Sequence, residues 1–592
     1  MKILYSLLLI VIFQESIAQG TAPLNNGSNL PIIVINTNGG TIIEATKINT
    51  SFKIIYNTNA ATNYLTSTNF HYNGIAGVEI RGSSSATDPK KSYSIEFRNT
   101  QYDGIDFAPF GLPLESDWVL TANYKDRTYL KNAYMYHLWG KTGKYSPRLR
   151  FVEVVINGDY QGLYAFTEKI KHGNNRVDIS DLYPTDTDPS ETSATSITGG
   201  YLIEGSRENS DFIASYPSWQ SAYPSSKIGA GDKMAFDCKY PKDPVVAQFN
   251  YIKSYMDNFE AALKGANFSN PTSGFRKYID EQSFVDNFVL QEYSIHLDIF
   301  SRSQYFYKDK GQKLVASPLW DTSAGLTNWE TYTNDWRFSC AGCDARFFWA
   351  ERLMEDCQFK NKVIDTYKDF RRTFLTQAKI TSYIDSIVTI ISPAAARDIT
   401  KWPYSGVATF AGEITKLKTF TQNRLTWVDN NIHNIKGATG KTLTSTASGV
   451  SIIGQNVILI TNCPTSSPVL WRFDNIDGTY GSFVIPSSSV PVAITRTVTY
   501  TASCQTTCPQ FTNPITITVS NNCPINLTFP TTITHSFYPT IQKYSVTQYI
   551  TSAAKTSAAA KTTYTAGRAI ELRPGFLAGR GTVFSARIQA CQ

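Results

Sequence analysis

Two aspartates in one stretch offer the plainest chemistry in this chain. Asp298 closes a segment in which Phe284, Val285, Phe288, Val289 and Ile295 recur with helical spacing, so a helix is predicted up to about residue 298. The period then changes. Residues 303–307 and 314–317 read as two short strands joined by the polar turn Lys308-Asp-Lys-Gly-Gln-Lys313, the pattern of a hairpin. The second arm of a hairpin returns beside the start of the first, so Asp321, just past arm two, is expected near Asp298, just before arm one. A carboxylate pair so placed suits a divalent cation or acid–base work on a hydroxyl. Any helix followed by a hairpin can carry acidic residues at its ends, so the geometry alone leaves two solvated loop carboxylates open.

The elements that would position a phosphate partner lie upstream. Gly77-Val-Glu-Ile-Arg81-Gly-Ser-Ser84-Ser reads as a strand running into a Gly/Ser loop, and Lys90-Lys91-Ser-Tyr-Ser-Ile-Glu96 as the next strand. With Arg81 before the loop and Lys91 on the following strand, backbone N–H groups and cations can face phosphate oxygens; an ordinary hairpin with solvated basic residues is the plain alternative. Asp126 is expected to cap an aromatic helix that ends near Gly140, with Lys131 at its start able to swing into solvent. Phe151 to Lys169 is a hairpin around Asn157-Gly158, a type I′ turn signal. It ends in Glu168, either near a cleft or in a surface ion pair with a neighbouring Lys.

At 592 residues the chain should hold about three to four domains. Its formal net charge is +7 and its charged residues amount to 17%, which excludes a polybasic nucleic-acid binder. Aromatics at 13%, with 34 Tyr, suit a secreted or surface protein. Lys2, the apolar run Ile3 to Phe13 and Ser16-Ile-Ala18 read as a signal peptide over 1–18, which predicts export. That run is too short to span a bilayer, and no later segment reaches about 18 apolar residues. Nine Cys fit an oxidising compartment. Cys463, Cys504, Cys508, Cys523 and Cys591 crowd the C-terminal part, whereas Cys340-Ala-Gly-Cys343 lacks a second ligand pair and is expected to be a local disulfide or loop clamp.

Taken in order, 31–72 reads as a small leading sheet, 181–198 as a polar surface loop, and Val246 to Lys264 as an amphipathic helix. Helical runs follow over 346–353, 359–375, 380–391 and 411–432. After Gly437 the text turns to Thr, Ser, Val and Ile in short strands, an Ig-like β-sandwich over 437–521. The segment 522–592 reads as a small stacked β-module with Gly at turns, inward Ile, Leu and Phe, and terminal cysteines placed to tie its ends.

Several stretches carry a family likeness. Asp298 with Tyr-Phe-Tyr307-Lys-Asp-Lys and Pro-Leu-Trp-Asp321, Arg81-Gly-Ser-Ser-Ser with Lys90-Lys-Ser-Tyr, Leu112 through Asn132, Asn157-Gly-Asp-Tyr-Gln-Gly-Leu-Tyr with Glu168-Lys169, and Lys239-Tyr-Pro241 together resemble the CotH family of spore-coat-type atypical protein kinases, over roughly 30–435. The resemblance implies an α+β, two-lobed protein-kinase-like domain over 19–436, with a β-rich N-lobe and a helical C-lobe. It implies ATP as substrate with Mg2+ or Mn2+, Asp298 as the catalytic-loop aspartate and a metal ligand, and Asp321 as the principal metal ligand. Arg81, Ser84, Lys91 and Glu168 would face the nucleotide. The acceptor would be a hydroxyl on a secreted or cell-surface protein; a surface glycan is the partner expected if the C-terminal β-modules serve an adhesin or scaffold instead. Two departures stand out: Ser323 replaces the family's second acidic or amide residue after Trp-Asp, and Lys131 stands where many relatives carry Arg, losing the bidentate fork. The C-terminal module looks like those of exported Bacteroidota-type proteins. A catalytically inactive kinase-fold adhesin or scaffold is the alternative reading.

Overall fold

Apolar residues at every second position build a closed barrel from β1 (Ile32–Asn36), β2 (Ile48–Ile55), β3 (Tyr72–Arg81), β4 (Ser92–Arg98), β5 (Asp117–Thr121), β6 (Leu149–Ile156) and β7 (Asp159–Glu168). The strands follow the order β1-β2-β3-β4-β5-β7-β6, and β1 closes the ring by pairing parallel with β6. Ile33 and Ile35, Phe52 and Ile54, Tyr93, Ile95 and Phe97, Trp118 and Leu120, Val152 and Val154, and Tyr164 and Phe166 fill the interior, the period-two set that a pleated strand turns to one face. The predicted leading sheet is therefore not separate: β1 and β2 are staves of this barrel, because their alternate Ile and Phe side chains complete its core. Asn157 and Gly158 both have positive φ, 50° and 80°, as a type I′ turn between β6 and β7 requires.

The computed structural model describes residues 22–592 apart from 59–61, 183–192, 208–216, 225–232, 297, 327–333, 340–346, 407–408, 436–440, 447–449, 453–455, 476–479, 506–509, 521–525, 530–533, 536–541, 547–548, 557–560, 567, 579–582 and 589–592. The predicted signal peptide, the Cys340–Cys343 pair and Cys508, Cys523 and Cys591 lie outside the described residues.

Beyond the barrel, β8 (Tyr201–Arg207), β9 (Ser218–Pro224), β10 (Lys233–Tyr240), β11 (Gln304–Lys308) and β12 (Leu314–Ala316) form an antiparallel sheet in the order β12-β11-β8-β10-β9. The described helices are α1 (Lys131–Gly140), α2 (Val246–Lys264), α3 (Glu281–Ser294), α4 (Trp349–Leu353), α5 (Cys357–Thr373), α6 (Gln377–Lys401) and α7 (Phe410–Asn431). Trp349 centres the core between sheet and helices, 4.8 Å from the Phe259 ring, 5.3 Å from Phe306 and 4.7 Å from Phe347. No described helix is long and apolar enough to cross a membrane.

Helix α6 outruns its predicted end at residue 391. It continues through Pro393 because Ala394, Ala395 and Asp398 beyond it are fully buried, and tertiary packing outweighs the lost backbone hydrogen bond. Asp398 then anchors the helix to the barrel. Its carboxylate accepts Lys90 Nζ at 2.5 Å, the Tyr129 hydroxyl at 2.8 Å, the Leu163 N–H at 2.8 Å and Arg127 Nη1 at 3.3 Å. A side chain on Gly162, at φ +99°, would put Cβ 2.1 Å from that carboxylate, so only glycine fits.

The chain divides into two compact units, Met1–Val428 and Asp429–Gln592. In the second, Leu443–Ser445, Asn456–Thr461 and Ser489–Ala493 form one sheet, and strands between Val450 and Ser520 form another. Their side chains share a core around Trp471, Val457, Leu459 and Tyr500, and the Cys463–Cys504 disulfide ties the end of one sheet to the other. Farther on, three three-stranded parallel sheets lie in successive register: Asn526–Phe529, Tyr549–Ser552 and Ala569–Leu572 make one of them, the stacking of a three-faced β-solenoid. Ile570, Phe576 and Phe584 pack inward as predicted, whereas Leu572 and Leu577 are exposed.

Candidate active site

Helix α3 begins at Asp280, whose carboxylate accepts the Ser283 N–H at 2.8 Å, and stops at Ile295 in a left-handed conformation, φ 46°. The Ser294 carbonyl at that end receives the N–H of Leu326 at 2.8 Å. Between them the hairpin turns the chain back, with Phe306 opposite Ala316 and Lys308 opposite Leu314. Gly325 lies so close to the helix end that a Cβ would sit 2.8 Å from the Ser294 carbonyl oxygen and 3.2 Å from the His296 Cα. Ser294 and His296 thus lie beside Gly325 and Leu326, a few residues from each of the two aspartates. From behind, the Glu292 carboxylate accepts the Phe338 N–H at 2.7 Å, and Arg424 Nη2 donates to the Glu292 carbonyl at 2.7 Å.

His296 joins the two segments. Its Nδ1 accepts the Asp298 N–H at 3.0 Å, which assigns the proton of the neutral ring to Nε2. Burial pushes the imidazole below its ordinary value, opposed by the carboxylates of Asp298 and Asp321 and by the Asp321 backbone. Asp298 is partly exposed, and its Oδ1 accepts Arg302 Nη1 at 2.8 Å. Its carbonyl turns the chain by accepting the N–H groups of Ser301 and Arg302 at 2.9 and 3.1 Å.

Asp321 is exposed, with φ 51°. The Ser323 hydroxyl lies 3.5 Å from its Oδ1, and among the described residues no cation pairs with it. Helix α1 grips this segment from the other side. Asn132 Oδ1 accepts the Thr322 N–H at 2.8 Å and the Thr322 hydroxyl at 3.1 Å, and the Tyr136 hydroxyl accepts the Asp321 N–H at 3.4 Å. The Tyr136 ring stacks on Trp320 at 5.8 Å and 11°, and the Arg81 guanidinium lies 5.8 Å from the Trp320 ring centre.

Ile295, Phe300, Ser303, Asp321 and Leu326 are five of the twelve described non-glycine residues with positive φ. Such conformations cost on the order of 1–3 kcal/mol each and persist where surrounding contacts enforce them, commonly at functional sites. Their density here marks this turn pair out from the rest of the chain.

The sequence-predicted nucleotide residues divide. Arg81 ends β3 and faces Trp320, next to Asp321. Ser84 opens the short 3-10 turn Ser84–Thr87 between β3 and β4. Lys91 does not sit on a strand: β4 begins at Ser92, and Lys91 Nζ donates to the Ala86 carbonyl at 2.7 Å, closing that turn. Glu168 is fully buried; Arg148 N and Nε donate to its carboxylate at 2.9 Å each, Tyr145 at 3.2 Å, and Arg176 lies 3.5 Å away. Of the two readings open for Glu168, the surface pair with a lysine is replaced by a buried one with arginines. Lys131 is only 6% exposed and does not swing into solvent; burial lowers its ammonium, opposed by Asp126 and Glu413. Asp126 does serve the helix start, accepting the Lys131 N–H at 3.0 Å.

His296, Asn132 and Tyr136 escaped the sequence reading, although the last two stand four apart on a helix whose aromatic pattern was legible. Two further cations were also missed as a set. Lys169 lies 3.9 Å from Asp117, and burial holds its ammonium below the ordinary value, opposed by Asp117 and reinforced by Lys47, Lys171 and Arg81. Lys239 Nζ lies 3.0 Å from Asp237 and 3.4 Å from Glu204 on paired strands β10 and β8. Tyr305 of β11 interacts with both Glu204 and Arg81, so these charges border one region.

Hard oxygen donors at Asp321 and Asp298 fit a magnesium-type ion, which needs few protein ligands when phosphates and water complete its shell. Among the described residues no group of three or more His, Cys, Asp or Glu forms a cage. No curated protein matches the chain. The sequence model of the CotH kinase protein family matches residues 78–428, more than half the chain, from within β3 through most of α7 and across both aspartates. The chain belongs to the CotH kinase protein family.

Proposed function

We propose that this chain is an exported atypical kinase that transfers phosphate from ATP to a hydroxyl of a secreted or surface protein. In this reading the barrel is the β-rich lobe, α3 to α7 form the helical lobe, and the nucleotide lies between them. The observation that carries it is the exposed Asp321 carboxylate, without a cation partner among the described residues, which with Asp298 acts on the buried imidazole of His296. Asp321, with Asp298 and the Ser323 hydroxyl, would hold Mg2+ or Mn2+, which neutralises charge on the transferring phosphate when bound. Asp298 orients the acceptor hydroxyl or takes its proton. Its ion pair with Arg302 aims the carboxylate, and Arg302, at 42% side-chain exposure, can follow an incoming phosphate. Arg81 and Lys169 are the cations best placed for nucleotide oxygens, and Lys91 and Glu168, already engaged, are supporting groups.

Export is supported by the leader-like start and by the Cys463–Cys504 disulfide, which suits an oxidising compartment. The Asp298–Arg302 pair, which occupies one carboxylate oxygen, favours the second reading, a kinase-fold scaffold without transfer. Thermal unfolding with Mg-ATP separates the two. A stabilising shift lost in Asp321→Ala supports the enzyme, as does an at least about hundredfold drop in transfer for Asp298→Asn with folding intact. No shift and no transfer in the wild-type chain support the scaffold.

A further inference from the structure

Helix α1 holds the Asp321 segment with Asn132 and Tyr136, and with Ala133 and His137 it borders a groove. That groove encloses about 880 Å³, with Tyr383, Ile387 and Ile390 of α6 along its other side. A neighbouring hollow of about 810 Å³ shares His137, Lys141 and Tyr383 with it.

Charge in this groove has one sign. Lys141, Lys144, Arg148 and Arg150 line it and Lys379 lines the neighbouring hollow, while no Asp or Glu is among the described residues that line either. Two of these cations are already matched: Lys144 meets Asp286 at 2.5 Å, and Arg148 meets Glu168 at 2.6 Å. Lys141, Arg150 and Lys379 are exposed and pair with no carboxylate among the described residues. Between the cations the surface is apolar, with Ile390 47% exposed. An exposed isoleucine beside unmatched cations fits a ligand that brings acidic and apolar groups together.

We propose that this groove docks a segment of a partner protein in which acidic and apolar side chains alternate. An extended peptide presents side chains every ~3.3 Å, so neighbouring residues can reach Lys141 or Arg150 and the isoleucines of α6 in turn. An anionic polysaccharide would satisfy the cations and leave Ile387 and Ile390 without a use. The inference stands apart from phosphoryl transfer, and its test needs no nucleotide.

The test is fluorescence anisotropy of the full chain with a labelled peptide of alternating Glu and Leu. We expect saturable binding that weakens with added salt. Replacing every Glu by Gln in the peptide, or introducing Lys141→Glu with Arg150→Glu in the protein, should each weaken it by on the order of tenfold or more. Both protein positions are exposed, so the fold is retained. Affinity unchanged by either alteration would overturn the proposal, and so would displacement of the bound peptide only by polygalacturonate and never by unlabelled peptide.

Discussion

Removing the carboxylate of Asp398 should be among the most damaging single changes in the first unit. Asp398 and Lys90 are fully buried and Arg127 is 1% exposed, so none of these charges is relieved by water. Asp398→Ala leaves Lys90 Nζ with the carbonyls of Ala122 and Leu163 and the Tyr164 ring but no carboxylate, and strips the Tyr129 hydroxyl and the Leu163 N–H of their acceptor. Breaking a buried ion pair costs about 3–5 kcal/mol, to be set against a typical domain stability of about 5–15 kcal/mol. Lys90→Met should cost less, because Arg127, Tyr129 and Leu163 still satisfy the aspartate. The double change Lys90→Met with Asp398→Leu should recover part of the Asp398→Ala loss, since no lysine is then left unpaired. Urea unfolding followed by tryptophan fluorescence measures all three. A loss below about 1 kcal/mol for Asp398→Ala, or a double variant less stable than Asp398→Ala, would refute the reasoning.

Glu260 is buried against Trp349 and Ser221, and burial raises its carboxyl to about 7 from an ordinary 4.5. The neutral form is favoured on folding, so its stabilising contribution is full below about pH 4.5 and is lost as pH rises through about 7. That difference amounts to on the order of 3 kcal/mol, and Glu260→Gln should flatten the pH dependence of the melting temperature over this range. For nucleotide binding, Arg81→Ala should weaken Mg-ATP affinity about tenfold or more, whereas Lys91→Ala should change it by less than about threefold; isothermal titration gives the order, and a reversed order overturns the assignment. Replacing Cys463 and Cys504 by alanine opens a cross-link spanning 41 residues and should cost the second unit about 3–4 kcal/mol, read as an earlier urea midpoint.

Period and turn chemistry made much of the first unit legible. Alternation announced most of the barrel staves, though not β5, and Asn157-Gly158 marked a hairpin, yet the ring that β1 and β6 close depends on pairing across more than a hundred residues that no local pattern encodes. The helix-to-hairpin reading brought Asp298 and Asp321 into one neighbourhood, but it could not see that His296, an unremarked residue two positions earlier, touches both segments. Lys90 and Lys91 stand side by side in the sequence. Only packing decides that the first is buried against Asp398 and the second closes a surface turn. Asp398 itself was hidden by Pro393, a stop signal in isolation that the buried far side of α6 overrides.

The family match begins at residue 78, inside β3, and this boundary cuts through a closed ring. A fragment started there would lack β1, β2 and most of β3, and would leave β6 with an open backbone edge toward the missing β1. Val152 and Val154, now sealed in the interior, would meet water along that edge. Open edges of this kind recruit strands from other molecules, so such a fragment should be recovered as soluble oligomers or precipitate. Recombinant work on the first unit should therefore choose a start upstream of Ile32, where the ring is whole.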